Sequence, residues 1–561
     1  MSTTLLPTHR SPHERLSIES HESHELSYEA KLQSELSFPA RVSNGMSALL
    51  QRLPFSSSSA RYHYPRRRDY EPLGEQQLRL TPTRRYTRRL RRIPYYLAIF
   101  FAIIAALAAI TFAFFPSYTH PPPHYTALRN HVLDPENANQ TGRGNLHDEK
   151  VFIAASLYDP TGELARGHWA TSLLALIDLL GEENVYLSIY ENDSEPEGAA
   201  ALAELDDRVP CNRSLVYDAH LDLDALPTIT IPDGTRRVKR ITYLAETRNR
   251  ALAPLEDKST AASTTKFDKL LYLNDIAFDP LDALQLLFST HVDERSGRTE
   301  YRAACAVDFI NPFKFYDTYA TRDLDGYSMG VPFFPWFTNE GVGARSSSRA
   351  EVLAGSDAVP VRSCWGGMVA FDARFFQQQA ESESKSERLV EDTDTAAQLT
   401  SPARFRALND TDLFWDASEC CLIHADIQEP LSHGKSGEAS STTTTGIYMN
   451  PFVRVAYDPN TLSWLGTTRR FEKLYFVIHN IVNHLVGLPW FNARREEVPG
   501  RSYHDTVFVP GKNGGAGSFE SVQRVGRHDG FCGRPGLQVV APHQGRGKGW
   551  ETIPMPLADL T

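Results

Sequence analysis

The sequence predicts an α/β domain on a mostly parallel sheet, preceded by a disordered tail and one transmembrane helix. Three observations carry this. Short apolar runs alternate with amphipathic helical stretches from residue 151 onward. A stretch of 21 residues, 95–115, contains no charge. The first 60 residues hold fourteen serines and no sustained apolar period.

The chain has 561 residues, enough for one large domain or two ordinary ones besides unstructured segments. Its formal charge of −11 gives no overall nucleic-acid signature, and we expect no nucleic-acid partner. The charge is unevenly spread: residues 61–92 carry eleven arginines against three acidic residues. This run abuts residues 95–115, which would span roughly 30 Å as a helix at about 1.5 Å per residue. Positive flanks stay cytosolic, so residues 1–94 are expected in the cytosol and the C-terminal part in the lumen, a single-pass type II arrangement. Residues 116–148 are Pro-rich and polar and read as a lumenal stem. Residues 149–561 form the lumenal domain.

Within that domain, VFIAASLY at 151 is a strand, and residues 168–181 a helix with a Gly stop. NVYLSIY is a strand, and AAALAELDD a helix. Residues 241–255 read strand-to-helix; KLLYL at 269 is a buried strand, 280–288 a helix and 301–309 a strand. Such alternation covers a parallel sheet on both faces and places ligands beyond the carboxyl ends of its strands. Residues 341–358, 380–403, 433–446 and 511–518 read as surface insertions.

All six cysteines and four N-glycosylation sequons (Asn139, Asn192, Asn212, Asn409) fall on the lumenal side, where disulfides persist. Their spacing leaves the pairing open and shows no zinc pattern.

The most informative chemistry lies at 267–278, FDKLLYLNDIAF. An apolar strand ends in Asn274-Asp275, a carboxylate beside an amide oxygen: hard ligands for Mg²⁺ or Mn²⁺ that could bridge a diphosphate. A turn or helix cap is the competing reading. Arg248, beside Asn249 and Arg250, offers bidentate phosphate recognition, against surface salt bridging. Trp365 could stack on a sugar, and Gly366-Gly367 permits close backbone approach, or the segment is a plain turn. In WDASECCLIHAD (415–426), Glu419 or Asp426 could act as base on an acceptor hydroxyl and His424 as a metal ligand. Asp308, ending a strand, is a further catalytic candidate. Cys420 and Cys421 are expected to have different partners. No P-loop, GxSxG, HExxH or GxGxxG motif competes.

Taken in order, the segments at 185–194, 244–255, 267–278, 303–309, 316–326 (YDTYATRDLDG), 363–371 (SCWGGMVAF), 419–427 and 448–457 resemble one family. It is that of the fungal α-1,3-mannosyltransferases typified by the cryptococcal capsule mannosyltransferase and the capsule-associated proteins, glycosyltransferase family 69. The resemblance covers about residues 150–460. It implies a GT-A-like nucleotide-sugar-binding domain in the Golgi membrane, GDP-mannose as donor, a glycan acceptor and Mn²⁺ or Mg²⁺ as cofactor. By that analogy Asn274-Asp275 stands where the Asp-x-Asp metal motif would, and Arg248 and Asn249 face the donor. Another nucleotide sugar (xylose, glucose) and a non-catalytic Golgi scaffold are the alternatives.

Overall fold

A computed structural model describes residues 84–328, 345–378, 401–409, 411–428, 444–485, 492–511, 517–541 and 549–556. The expected insertions at 380–403, 433–446 and 511–518, and most of the tail at 1–94, lie largely outside these residues.

The chain divides into two units, residues 1–110 and 111–561. Of the first, residues 84–110 of helix α1 (Arg84–Phe114) are described, the last turn of this helix belonging to the second; its part Pro94–Phe114 is long and apolar enough to cross a membrane, and none of it is buried.

The second unit is built on a nine-stranded sheet. Eight of its strands are β1 (Val151–Leu157), β2 (Val185–Asn192), β3 (Asn212–Asp218), β4 (Lys269–Leu273), β5 (Ala303–Asn311), β6 (Val359–Pro360), β7 (Met368–Asp372) and β8 (Ile447–Ala456). Their spatial order is β3-β2-β1-β4-β7-β5-β8-β6, and the ninth strand, Lys314–Phe315, pairs with β5. β1, β2, β3 and β4 are mutually parallel, as are β5 and β8, while β7 runs antiparallel between β4 and β5. The sheet is thus mixed and mostly parallel, as the alternation predicted.

Side chains two apart share a face, and the sheet buries both faces. Val151, Ile153 and Ala155 join one apolar cluster with helices α2 (His168–Leu180) and α4 (Pro280–Ser289); Phe152 and Ala154 join another. The second cluster takes in α3 (Arg240–Leu252), α5 (Glu419–Ile427), α6 (Pro459–Thr468) and α7 (Glu472–Leu485). Helix ends follow local chemistry. Gly181 stops α2 at φ 88°; Asp279 caps α4 by accepting from the Leu281 N–H, with Pro280 at the first position.

Three expectations need correction. Residues 241–244 are helical rather than extended, because Ile241, Ala245, Arg248 and Leu252, spaced by four, three and four, bury along one side of α3. The insertion at 341–358 contains a helix, Arg345–Ala354, whose Val352 enters the core. Residues 116–148 are no free stem: Pro123–Leu133 is a helix burying Tyr125, Leu128 and Val132. The Tyr125 hydroxyl accepts from Asn450 Nδ2 at 2.6 Å, and its carbonyl accepts from Gln285 Nε2. Proline density suggested a spacer; three apolar side chains at helical spacing found a surface to cover instead.

The C-terminal segment, which the sequence left unassigned, packs back on the domain. Its hairpin pairs Ser502–Val509 with Ser518–Val525, Gly533–Pro535 pairs with Trp415–Ala417, and Cys532 is bonded to Cys421. A second disulfide joins Cys305 to Cys364.

Candidate active site

β4 is completely buried and ends at Leu273, where the chain emerges. Four hydrogen bonds hold the next residue, Asn274. Its N–H donates to the Gly367 carbonyl at 2.9 Å, and its carbonyl accepts from the Trp169 indole at 2.9 Å. Its side-chain oxygen accepts from Arg248 Nη1 and from the Trp365 indole, both at 3.2 Å. Both lone pairs of that oxygen are thereby committed to N–H donors, so Asn274 is not a metal ligand. Asp275 follows, exposed at the strand's carboxyl end, and Asp279 rather than Asp275 caps α4.

Arg248 is the hub. Its Nε donates to Glu419 Oε1 at 3.0 Å, and the two side chains are 11% and 3% exposed. Its guanidinium carbon lies 4.5 Å from the Trp365 ring centroid, 5.2 Å from Tyr272 and 5.7 Å from Phe405. An aromatic box and a buried carboxylate therefore enclose the cation. The structure does not aim it at a diphosphate; it makes Arg248 the residue that positions Asn274. Glu419, at the start of α5 where Ser418 caps the helix, is the counter-charge rather than an accessible base.

The other candidates separate. Trp365 is 4% exposed, with its ring over Arg248, so it does not offer a face to a sugar. Gly366 packs its backbone against β5: a Cβ there would meet the Ala306 carbonyl oxygen at 2.0 Å. Asn249 exchanges two hydrogen bonds with the Phe405 backbone, holding that wall of the box. Asp426 is gripped by Arg406 through both oxygens and touched by His528. Against its desolvation, these partners hold its carboxyl below the usual range.

His424 is fully buried, and its Nδ1–H donates to the Cys420 carbonyl at 2.7 Å. Burial lowers it to about 4. Its Nε2 converges with the sulfurs of Cys305 and Cys364, but these are bonded to each other and are not thiolates. His424 is a core residue. Cys421 is paired and Cys420 is free and buried, so the adjacent cysteines do have different fates.

Asp308 is 1% exposed and accepts from the Asp317 N–H and the Tyr457 hydroxyl, both at 3.0 Å. Burial, and then the Asp317 carboxylate, push Asp308 up to about 8. It is therefore closed to an acceptor. Asp317 was not singled out from the sequence; its side chain accepts from the Ala320 N–H and the Thr321 hydroxyl, so the one local signal was the turn-forming spacing Asp-x-x-Ala-Thr. Arg534 was missed as well. It lies 3.9 Å over the Tyr319 ring beside a small pocket that Arg322 and Asn492 also line.

A divalent ion fits this site in one way. Among the described residues, Asp275 places an exposed carboxylate at the end of a buried strand, and Mg²⁺ or Mn²⁺ commonly takes one or two carboxylates and completes its shell with phosphate and water oxygens.

Residues 150–426 match the family model described as Cryptococcal mannosyltransferase 1. No curated protein matches the chain. Among solved structures, a mannosyltransferase from Pyrobaculum calidifontis in complex with GDP-Man and Mn²⁺ aligns over 69% of this chain and 85% of its own, at 10% identity and a TM-score of 0.28. A mannosyl-3-phosphoglycerate synthase from Rubrobacter xylanophilus aligns over 75% and 95%, at 11% identity and a TM-score of 0.22. Scores this low transfer neither fold nor ligand to this chain.

Two outcomes follow from the geometry. Arg248→Ala leaves Glu419 buried without a counter-charge and is expected to cost about 3–5 kcal/mol in denaturant unfolding. Removing both partners costs less than the sum of the single changes, by roughly 0.5–3 kcal/mol; strictly additive costs would show that the pair does not act as a unit. The second outcome concerns pH. Asp308 binds its proton more tightly folded than unfolded, so its contribution is complete below the ordinary carboxyl value of 3.8 and is lost as pH rises through about 8. Between about pH 6 and about pH 9 the thermal midpoint should fall, and Asp308→Asn should flatten that fall. Equal slopes in both proteins would refute it.

Proposed function

We infer the reaction starting from one premise: over residues 150–426 the chain belongs to the cryptococcal mannosyltransferase family, which makes it a mannosyltransferase-type glycosyltransferase. Its proposed reaction is transfer of mannose from GDP-mannose to a hydroxyl of a glycan acceptor in α-1,3 linkage, on a GT-A-like domain. The acceptor oxygen bonds to the anomeric carbon, the bond from that carbon to the β-phosphate oxygen breaks to release GDP, and the hydroxyl proton passes to the departing diphosphate or to water. The observation that supports this reading is Asp275, exposed at the carboxyl end of a buried strand and relieved of helix capping by Asp279. Open α/β sheets bind ligands at that edge.

Asp275 would hold the divalent ion, which supplies charge neutralisation at the leaving diphosphate. The remaining residues act through position. Arg248, Trp365 and Trp169 hold Asn274, and through the backbone they fix where the Asp275 carboxylate stands.

For location we propose a single-pass type II protein of the Golgi membrane with the catalytic domain lumenal. Support comes from the apolar stretch Pro94–Phe114, the arginines before it, and two disulfides after it that need an oxidising compartment. Protease added to intact microsomes should trim only the tail before residue 94; digestion of the large domain with the tail protected would reverse the assignment.

Asp275→Asn preserves size and removes charge. Mannosyl transfer, assayed on the full-length protein with a panel of nucleotide sugars with and without Mn²⁺, should drop by orders of magnitude, reflecting several kcal/mol of lost charge stabilisation. Stability should change by only about 1 kcal/mol. Full activity in this variant would discard the metal assignment. A preference for UDP-sugars in the panel would discard mannose.

A further inference from the structure

Helix α7 (Glu472–Leu485) has two unlike faces. One is anchored: Glu472 is fully buried and accepts from Arg454 Nη2 at 2.8 Å, and Phe476 is 1% exposed in the core. The other presents Ile478, Ile481, Val482 and Leu485, which are 61%, 47%, 49% and 77% exposed. Their spacing of three, four and seven places them on one stripe, the pattern by which a helix buries itself against something apolar. The exposed Trp464 of α6 lies in the preceding helix.

What covers this stripe is indicated by where α7 begins. The apolar stretch of α1 ends at Phe114, and Phe112 packs on Phe471 with ring centroids 5.3 Å apart. The Arg470 guanidinium lies 4.9 Å over the same Phe112 ring. The Ser117 N–H donates to the Arg469 carbonyl at 3.1 Å, and Arg469 Nη1 donates to the Tyr118 carbonyl at 2.9 Å. The α6–α7 junction is thus bound to the residues where the chain leaves its apolar stretch. The cations Arg470 and Lys473 stand at this junction, half-buried, while Arg469 is turned to the Tyr118 carbonyl. A helix with an apolar stripe, nearby basic side chains and an aromatic residue is built to lie in a membrane interface.

We propose that α7 lies on the bilayer surface, its Ile478–Ile481–Val482–Leu485 stripe immersed at the boundary between headgroups and acyl chains. The contact sets the domain against the membrane as a second attachment beside the anchor. This rests on residues 95–115 being the span and is independent of the reaction proposed above.

The test uses the full-length protein in lipid vesicles. An environment-sensitive fluorophore is placed at Ile481→Cys, at Ala105→Cys within the span, and at Glu520→Cys on the exposed hairpin; the two unpaired native cysteines are buried. Lipids carrying a nitroxide at the headgroup–acyl boundary should quench the probe at 481 severalfold more than at 520, and aqueous iodide should do the reverse. Iodide quenching at 481 equal to that at 520 overturns the proposal. So does shielding from iodide without nitroxide quenching, which would mean that protein, a second copy or another part of this chain, covers the stripe. Quenching by deep nitroxides at 105 but none at 481 overturns this inference alone; quenching at neither removes the span as well.

Discussion

A buried guanidinium has to be paired, and most of the candidate site depends on how Arg248 meets that requirement. Its partner Glu419 is 171 residues further along the chain, and its other hydrogen bond goes to Asn274, at the end of a third element. Ion pairs of this kind give little net stability, since desolvation offsets their attraction, but leaving one partner alone is costly. The pair therefore works as a register mark. α3, α5 and the end of β4 have to be mutually placed for both charges to be satisfied, and the same placement turns Asp275 outward.

The C-terminal segment keeps that arrangement from loosening. Cys421, in the first turns of α5, is bonded to Cys532, and Asn492 donates to the carbonyls of Gly530, Phe531 and Gly533. Arg322 donates to the Phe531 and Cys532 carbonyls, tying the loop before the Cys-Trp-Gly-Gly segment to the same place. Cys305–Cys364 then fixes the approach to Trp365 from the β5 side. A closed loop of this length removes roughly 4 kcal/mol of unfolded-chain entropy. The site is a surface feature, yet residues from Trp169 to Cys532 hold it still.

Arg454 and Glu472 form another buried ion pair. It draws the start of α7 against β8 just past the irregular pairing between Met449 and Arg454. With that end fixed, the helix has no freedom to turn its apolar stripe inward. Exposure of the stripe is thus a consequence of a charge pair, and the membrane contact proposed for it follows from the same constraint.

The sequence by itself determined the elements and their order, because apolar periodicity and helix caps are local. Apart from the strand expected at 241–244, the alternation from 151 to 309 appears in the structure, as do the Asp279-Pro280 helix start, the Gly181 stop and the placement of Asp275 just beyond a buried strand. Tertiary structure alone decided what the polar residues do. Trp365, Asn249, Asn274, Glu419, Asp308, Asp426 and His424 carry side chains equally suited to ligands and to internal partners. Which they serve depends on burial and on partners at separations from four residues (His424 with Cys420) to 171 (Glu419 with Arg248), about which composition is silent. The Pro-rich segment at 116–148 shows the same limit: composition set its local stiffness, and only the apolar groove beneath Tyr125, Leu128 and Val132 decided that it would fold.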